Sequence, residues 1–343
     1  MRYLGSPHWP FYPLIPGLLL SFATLTVMVS PIFAGGVEES QSPTLASPVQ
    51  SQTSAKTRYG FQRILIIVLE NQDYEDVIAD PYFQTLAQRG ASLTNFHGLF
   101  HPSYQNYLAM VAGKTIPTDG DHQIDIDGKT IADLLGARGF TWKNYAEGYP
   151  TDIDPAKYPK RCFTASELGR YRRKHVPFAS FRRIQDQACD KIVPGQDFAA
   201  DFKNAALPTY AFYSPDMDDD GHDPKDQAAV GLAKAATWLR GFLAPLLDNA
   251  AFMRDTLTIV TFDESCIYCR RPDTNHIYTV LLGDMVRPGE VPHYYTHFNL
   301  LRAIEENFTL GTLADGDGNA TPITEVWKTQ HGNDQGPASR AMP

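Results

Sequence analysis

Ile64-Leu-Ile-Ile-Val-Leu69 runs directly into Glu70-Asn71, and Thr256-Leu-Thr-Ile-Val-Thr-Phe262 runs directly into Asp263-Glu264. Each run is rich in β-branched residues. Neither alternates with polar residues in the way a strand with one wet face would, so both read as strands covered on both sides. A third run, Thr209-Tyr-Ala-Phe-Tyr213, leads through Ser214 and Pro215 into Asp216-Met-Asp-Asp-Asp-Gly-His-Asp223. Helical patterns fall between the runs, at 82–89, 103–112, 129–138, 226–249 and 296–308, with further strands at 92–96, 140–145 and 277–282. Alternation of this kind predicts an α/β fold, with a mostly parallel central sheet and helices on both faces.

The chain has 343 residues, of which 43% are hydrophobic and 20% charged, enough apolar material for a large core. Its formal net charge of −9, with the acids spread along the chain, argues against a nucleic-acid partner bound through a broad basic surface. A small anionic substrate stays compatible, because a metal ion supplies local positive charge. The apolar stretch at 14–33 ends in Ala34 and two glycines, which reads as a secretory signal at 1–34. The alternative is an uncleaved membrane anchor, and both place the rest of the chain outside the cytoplasm. Cleavage would leave no stable membrane partner. Residues 35–57 are polar and unpatterned, as in a disordered linker. The catalytic domain is expected at 58–325, with a small insertion or cap at 150–195, followed by a polar tail at 326–343.

Four cysteines, an even number, agree with export. Pairing by sequence proximity gives Cys162–Cys189 and Cys266–Cys269, one of three connectivities, with the first bridge tying down the insertion. A zinc site is the competing reading of the Cys-x-x-Cys, and a thioredoxin-like redox motif a weaker one.

Open parallel sheets place their sites beyond the carboxyl ends of the strands, where three runs here deliver Glu70, Asn71, Asp263, Glu264 and the aspartate-rich loop. One acidic pair after a strand reads as a helix cap or turn. Three together repel one another, which a divalent cation relieves, and their oxygens are hard ligands. Ser103, in His101-Pro-Ser-Tyr-Gln-Asn-Tyr107, opens a helix. By local pattern it is an N-cap. The same place also favours a phosphate and an ionised hydroxyl. Asn106, three residues on, shares its face and could donate to a phosphate oxygen. His175, in a basic stretch, and His222, among aspartates, suit donation to a phosphate or protonation of a leaving group.

These motifs, Glu70-Asn-x-x-Tyr74, His101-Pro-Ser-x-x-Asn-Tyr107, Asp220-Gly-His-Asp223, Phe262-Asp-Glu264 and Asn275-His276, stand in an order that resembles the phosphoesterase family of bacterial acid phosphatases and phospholipases C. The likeness runs over about residues 60–310 and includes a C-terminal helix at 295–306. It implies an alkaline-phosphatase-like fold and one divalent metal ion held by Glu70, Asn71, Asp263 and Glu264. It makes Ser103 the nucleophile and places His175, His222 and, less directly, Asn106 on the substrate phosphate. His101 and His276 follow at a further remove. The chain departs from the family at Ser265-Cys-Ile-Tyr-Cys-Arg-Arg271, where a glycine-containing loop is usual. A disulfide there would stiffen the rim, and Arg270 and Arg271 would add charge. The expected function is hydrolysis of small phosphate monoesters through a phosphoserine. The alternatives are a phospholipase C or other phosphodiesterase, and an exported anion- or metal-binding protein without turnover.

Overall fold

The computed structural model describes residues 57–222, 227–266, 269, 274–313 and 315–328. The expected signal, nearly all of the linker and most of the tail lie outside the described residues, as do Asp223, Arg270 and Arg271. Eight strands form the central sheet: β1 (Arg63–Leu69), β2 (Ala91–Leu93), β3 (Trp142–Ala146), β4 (Ile192–Pro194), β5 (Tyr210–Ser214), β6 (Thr256–Phe262), β7 (Thr279–Leu282) and β8 (Gly289–Val291). Their order is β8-β2-β7-β6-β1-β5-β3-β4. Seven strands point the same way and β7 runs against its neighbours β6 and β2. Six of the seven residues of β1 and all seven of β6 are buried. The unbroken apolar runs therefore sit at the middle of the sheet, with helices packed around it, which is the mostly parallel α/β architecture expected.

Two strands expected as single units are divided. Ala91–Leu93 belongs to the central sheet, but Phe96–His97 turns away into a second sheet with His276–Ile277 and Tyr295–Thr296. The run 277–282 breaks in the same way at Tyr278, whose hydroxyl donates to the Phe83 carbonyl (2.8 Å) inside the core. Apolar patterning marks burial but not which sheet does the burying, so the two halves of each run look alike in sequence.

The helix ends follow their local chemistry. Thr130 caps Ile131–Ala137 through a reciprocal box with Asp133. Ser103–Ala112 stops at Gly113, which takes a left-handed φ of 64°. A Cβ there would lie 2.6 Å from the Asp317 carboxylate, so glycine serves both the turn and the close approach. In the helix His297–Phe308, Asn307 is buried, with its side chain bonded to the backbone of Tyr59 and Phe61.

The expected insertion at 150–195 is more closely built into the body than a cap would be. Tyr171, Phe178 and Phe181 are fully buried, and Ile192–Pro194 is β4, the edge of the central sheet. At the other end, Val326 is buried and Trp327 stacks on Tyr59 at 4.7 Å, so 326–328 pack with the body where a polar tail was expected. Cys162 and Cys189 are bonded, as are Cys266 and Cys269. Disulfides of this kind persist in oxidising compartments. Among the described residues, no helix is long and apolar enough to cross a membrane.

The Cys162–Cys189 bridge closes the segment that carries Arg173, Lys174 and His175. Replacing both cysteines by serine should lower unfolding free energy by about 3–4 kcal/mol, the cost of freeing a loop of this length in the unfolded chain. Urea denaturation of the double variant against the parent measures it.

Candidate active site

β1 and β6 are neighbours in register up to the pair Leu69 and Phe262. Glu70 and Asp263 therefore leave the sheet at one level. The Asp263 N–H donates to the Leu69 carbonyl (3.0 Å), and the Glu70 N–H to the carbonyl of Asp220 (2.8 Å), which draws the loop after β5 to the same place. Asn71 turns the chain with a left-handed φ of 56°, a conformation asparagine tolerates better than most residues. Its N–H donates to Asp263 Oδ1 (3.2 Å). Behind them, His297 Nε2 meets the Asp263 carbonyl at 2.8 Å. Burial pushes the His297 pKa down to about 4, so this imidazole is a neutral donor that pins the strand end.

Three carboxylates then crowd together. Glu70, Asp263 and Glu264 are all buried, and each places an oxygen within 4.8 Å of the others. Asp263 Oδ2 is buried and accepts no hydrogen bond among the described residues. Burial pushes the Asp263 carboxyl well above its ordinary range, and the charges of Glu70 and Glu264 add to the effect. Glu264 is raised too, chiefly by burial and against a hydrogen bond from His101 Nδ1 to its Oε2. For Glu70, burial again favours the neutral acid, but His175 and Lys174 outweigh it and hold the carboxyl well below the usual range. Converging oxygens, two of them (Glu70 Oε2 and Asp263 Oδ2) without a hydrogen bond, fit a hard divalent cation. Glu70, Asp263 and Glu264 are its ligand candidates, and Asn71 adjoins them, with Nδ2 3.1 Å from Glu70 Oε1.

Ser103 is the first residue of its ten-residue helix and is buried. Its Oγ lies between Glu70 Oε1 and Glu264 Oε1, the latter at 2.9 Å. Asn71 Nδ2 (3.4 Å) and Lys174 Nζ (3.3 Å) face it from other directions. The hydroxyl therefore meets the carboxylate cluster at the positive end of a helix.

The other expected residues divide. His175 is fixed in a 3₁₀ turn, Arg173–His175, and stacks on Tyr107 with centroids 5.0 Å apart. Its Nε2 is 2.8 Å from Glu70 Oε2 and its Nδ1 3.6 Å from Asp220 Oδ2. Burial lowers its pKa against the pull of Glu70. His222 is half-buried, with its backbone N–H on Asp220 Oδ1 (2.9 Å). Asn106 is directed elsewhere. Its Oδ1 accepts the N–H groups of Leu99 (2.9 Å) and Phe100 (3.0 Å), and its Nδ2 donates to the Phe100 carbonyl (2.8 Å). It holds the loop that leads into Ser103.

Two groups in the site escaped the motif reading. Lys174 Nζ lies 3.1 Å from Glu70 Oε1 and 3.0 Å from Asp121 Oδ2. Asp121 Oδ1 in turn accepts the N–H of Tyr104 (3.1 Å), in the first turn of the serine helix. Burial opposes charge on Lys174, but Glu70 and Asp121 outweigh it and keep the ammonium protonated. A basic run such as Arg172-Arg-Lys-His175 ordinarily reads as a solvated face. The available signal was its place directly before His175.

A buried carboxylate cluster meets a helix-start serine at the carboxyl ends of two central strands, an arrangement that fits a phosphoric ester hydrolase. The pattern of the Phosphoesterase family matches residues 68–311, and the chain belongs to that family. It is 35% identical over 328 residues to a probable acid phosphatase of Kluyveromyces lactis, covering 90% of this chain and 73% of the relative. It is 30% identical over 273 residues to a phosphatidylinositol-3-phosphatase of Mycobacterium tuberculosis, covering 78% and 83%. Among solved structures, the lipoteichoic acid synthase LtaP of Listeria monocytogenes superposes with a TM-score of 0.50 at 12% identity, over 76% of this chain and 75% of that one. That likeness concerns the fold alone.

A folded-state pKa raised above the unfolded one, as for Asp263, contributes stability at low pH that is lost as pH rises towards the raised value. In chelator, thermal midpoints should therefore fall as pH rises above the ordinary carboxylate range. Asp263→Asn should flatten that slope and raise the midpoint at pH 8. It should also weaken divalent-metal binding by more than the ~10–100-fold that changes outside the ligand shell cost. Scanning calorimetry in chelator and metal titration calorimetry measure the two effects.

Proposed function

We propose that the protein hydrolyses phosphate monoesters through a phosphoserine on Ser103, with one divalent ion held by Glu70, Asn71, Asp263 and Glu264. The observation that carries this reading is the position of Ser103 Oγ, at a helix start and between two buried carboxylates. When bound, a divalent cation supplies Lewis acidity at a phosphoryl oxygen and lowers the pKa of an adjoining hydroxyl.

The chain's own groups do the rest. Glu70 Oε1 and Glu264 Oε1 accept from the Ser103 hydroxyl and orient its lone pairs for in-line attack on phosphorus. The Ser103 proton passes to one of these carboxylates as the serine–phosphorus bond forms and the ester bond breaks, and the leaving alcohol takes its proton from water. Water then displaces Ser103 and releases orthophosphate. The helix start offers backbone N–H groups to the phosphoryl oxygens, and His175 braces Glu70 from behind. His222, read as a contact to the substrate phosphate, follows Asp220 in the loop that the Glu70 N–H holds. Relatives named acid phosphatase and phosphatidylinositol-3-phosphatase support the choice of monoesters over diesters. The disulfides agree with an exported enzyme acting on small phosphate esters.

Ser103→Ala should lower kcat/KM for an aryl phosphate by about 10³-fold or more. Chelation should abolish turnover, with recovery on adding divalent metal back. Acid quenching during turnover should leave a phosphoryl adduct on Ser103 by mass spectrometry. Full activity in Ser103→Ala, or a phosphoryl group found on another residue, would refute the reading.

A further inference from the structure

We infer that Lys174 is a further catalytic residue, which receives the charge of a dianionic phosphoryl group, and that Asp121 positions it. This rests on the reading of Ser103 as nucleophile. The geometry is specific. Lys174 Nζ lies 3.3 Å from Ser103 Oγ, the atom that would bond to phosphorus. Oxygens of a phosphoryl group on that atom lie one bond further out, within reach of the same ammonium. The side chain is nearly buried, at 12% exposure, and does not behave as the mobile surface cation its sequence context implies.

Its two other contacts fix where it points. Glu70 Oε1 holds Nζ on the side of the carboxylate cluster. Asp121 Oδ2 holds it on the side of the helix start, and the other oxygen of Asp121 is tied to the Tyr104 N–H of that helix. Nucleophile, helix start and ammonium are thus linked by direct contacts. Upstream, Arg173 locks the turn. It donates to the carbonyls of Thr164 (2.9 Å) and Ala179 (3.1 Å) and to Asp125, which also accepts from Gln185.

Charge explains why such a group matters. Glu70, Asp263 and Glu264 bring three negative charges when ionised, and one divalent ion leaves the cluster net negative. A phosphate monoester adds a further charge of about −1.5 to −2. A diester has one ionisable oxygen fewer and carries less. Lys174 is the cation beside the nucleophile that offsets this extra charge, so it sets the preference for monoesters. It is a compact ammonium in a water-poor site, where such a charge acts far more strongly than in solvent. A lysine that only balanced Glu70 would affect every substrate alike.

The test compares p-nitrophenyl phosphate with bis(p-nitrophenyl) phosphate in the metal-loaded protein, for the parent, Lys174→Met, Lys174→Arg and Asp121→Asn. Lys174→Met should lower kcat/KM for the monoester by about 10²–10³-fold, the effect of removing one charge-stabilising donor. It should lower the diester value by less than about tenfold and weaken inhibition by orthophosphate by at least about tenfold. Lys174→Arg should restore part of the monoester preference. Equal loss on both substrates, or unchanged orthophosphate inhibition, in a Lys174→Met protein with parental circular dichroism would overturn the proposal. If that variant fails to fold, Asp121→Asn keeps the lysine and decides the matter. It should reduce the monoester-to-diester ratio, and an unchanged ratio overturns the proposal. Ser103→Ala, assayed alongside, separates the two claims. Turnover surviving in it sinks the nucleophile, while orthophosphate affinity still reports on Lys174.

Discussion

Electrostatic crowding at the ends of two adjacent strands is the constraint on which the rest of this structure depends. Glu70, Asp263 and Glu264 sit close together and out of water. Such an arrangement costs stability unless positive charge or shared protons offset it. The surroundings are built around that cost. Lys174 and His175 face Glu70, His101 faces Glu264, and the Asn71 N–H faces Asp263. Lys174, His175 and His101 come from outside the strands that carry the acids.

That dependence gives the segment 150–195 its meaning. It is irregular and held by a disulfide, yet it carries the lysine and histidine that complete the cluster. A cap that opened and closed would take this compensation with it. Instead the segment ends as an edge strand of the central sheet, which ties its lysine and histidine to the same body as the carboxylates they meet. The aspartate-rich loop is fixed in a comparable way, through the bond between the Glu70 N–H and the Asp220 carbonyl. Activity and stability therefore draw on the same contacts.

The sheet, the positions of its buried strands and the pairing of the cysteines were legible in the sequence, because burial on both faces and short sequence separation leave local marks. Strand changes at Thr94–Asn95 and at Tyr278 were not, since an apolar run carries no label for the sheet it joins. Among site residues, the motif order marked Ser103, Glu70, Asp263 and Glu264. Asn106 shares the helical face of Ser103 by spacing, yet its side chain is committed to the backbone of Leu99 and Phe100. Helical period specifies a face and leaves the rotamer open. Lys174 and Asp121 were invisible for a different reason. They stand 53 residues apart in the chain and meet only through space.

By itself the sequence determined that strands end in carboxylate and amide side chains at their carboxyl ends, because period and burial are local properties of a chain. Only the tertiary structure decided which cations answer those ligands and which atom the serine hydroxyl meets. Charge interactions in a buried site depend on distances of a few ångströms between segments far apart in sequence. No local pattern records those distances.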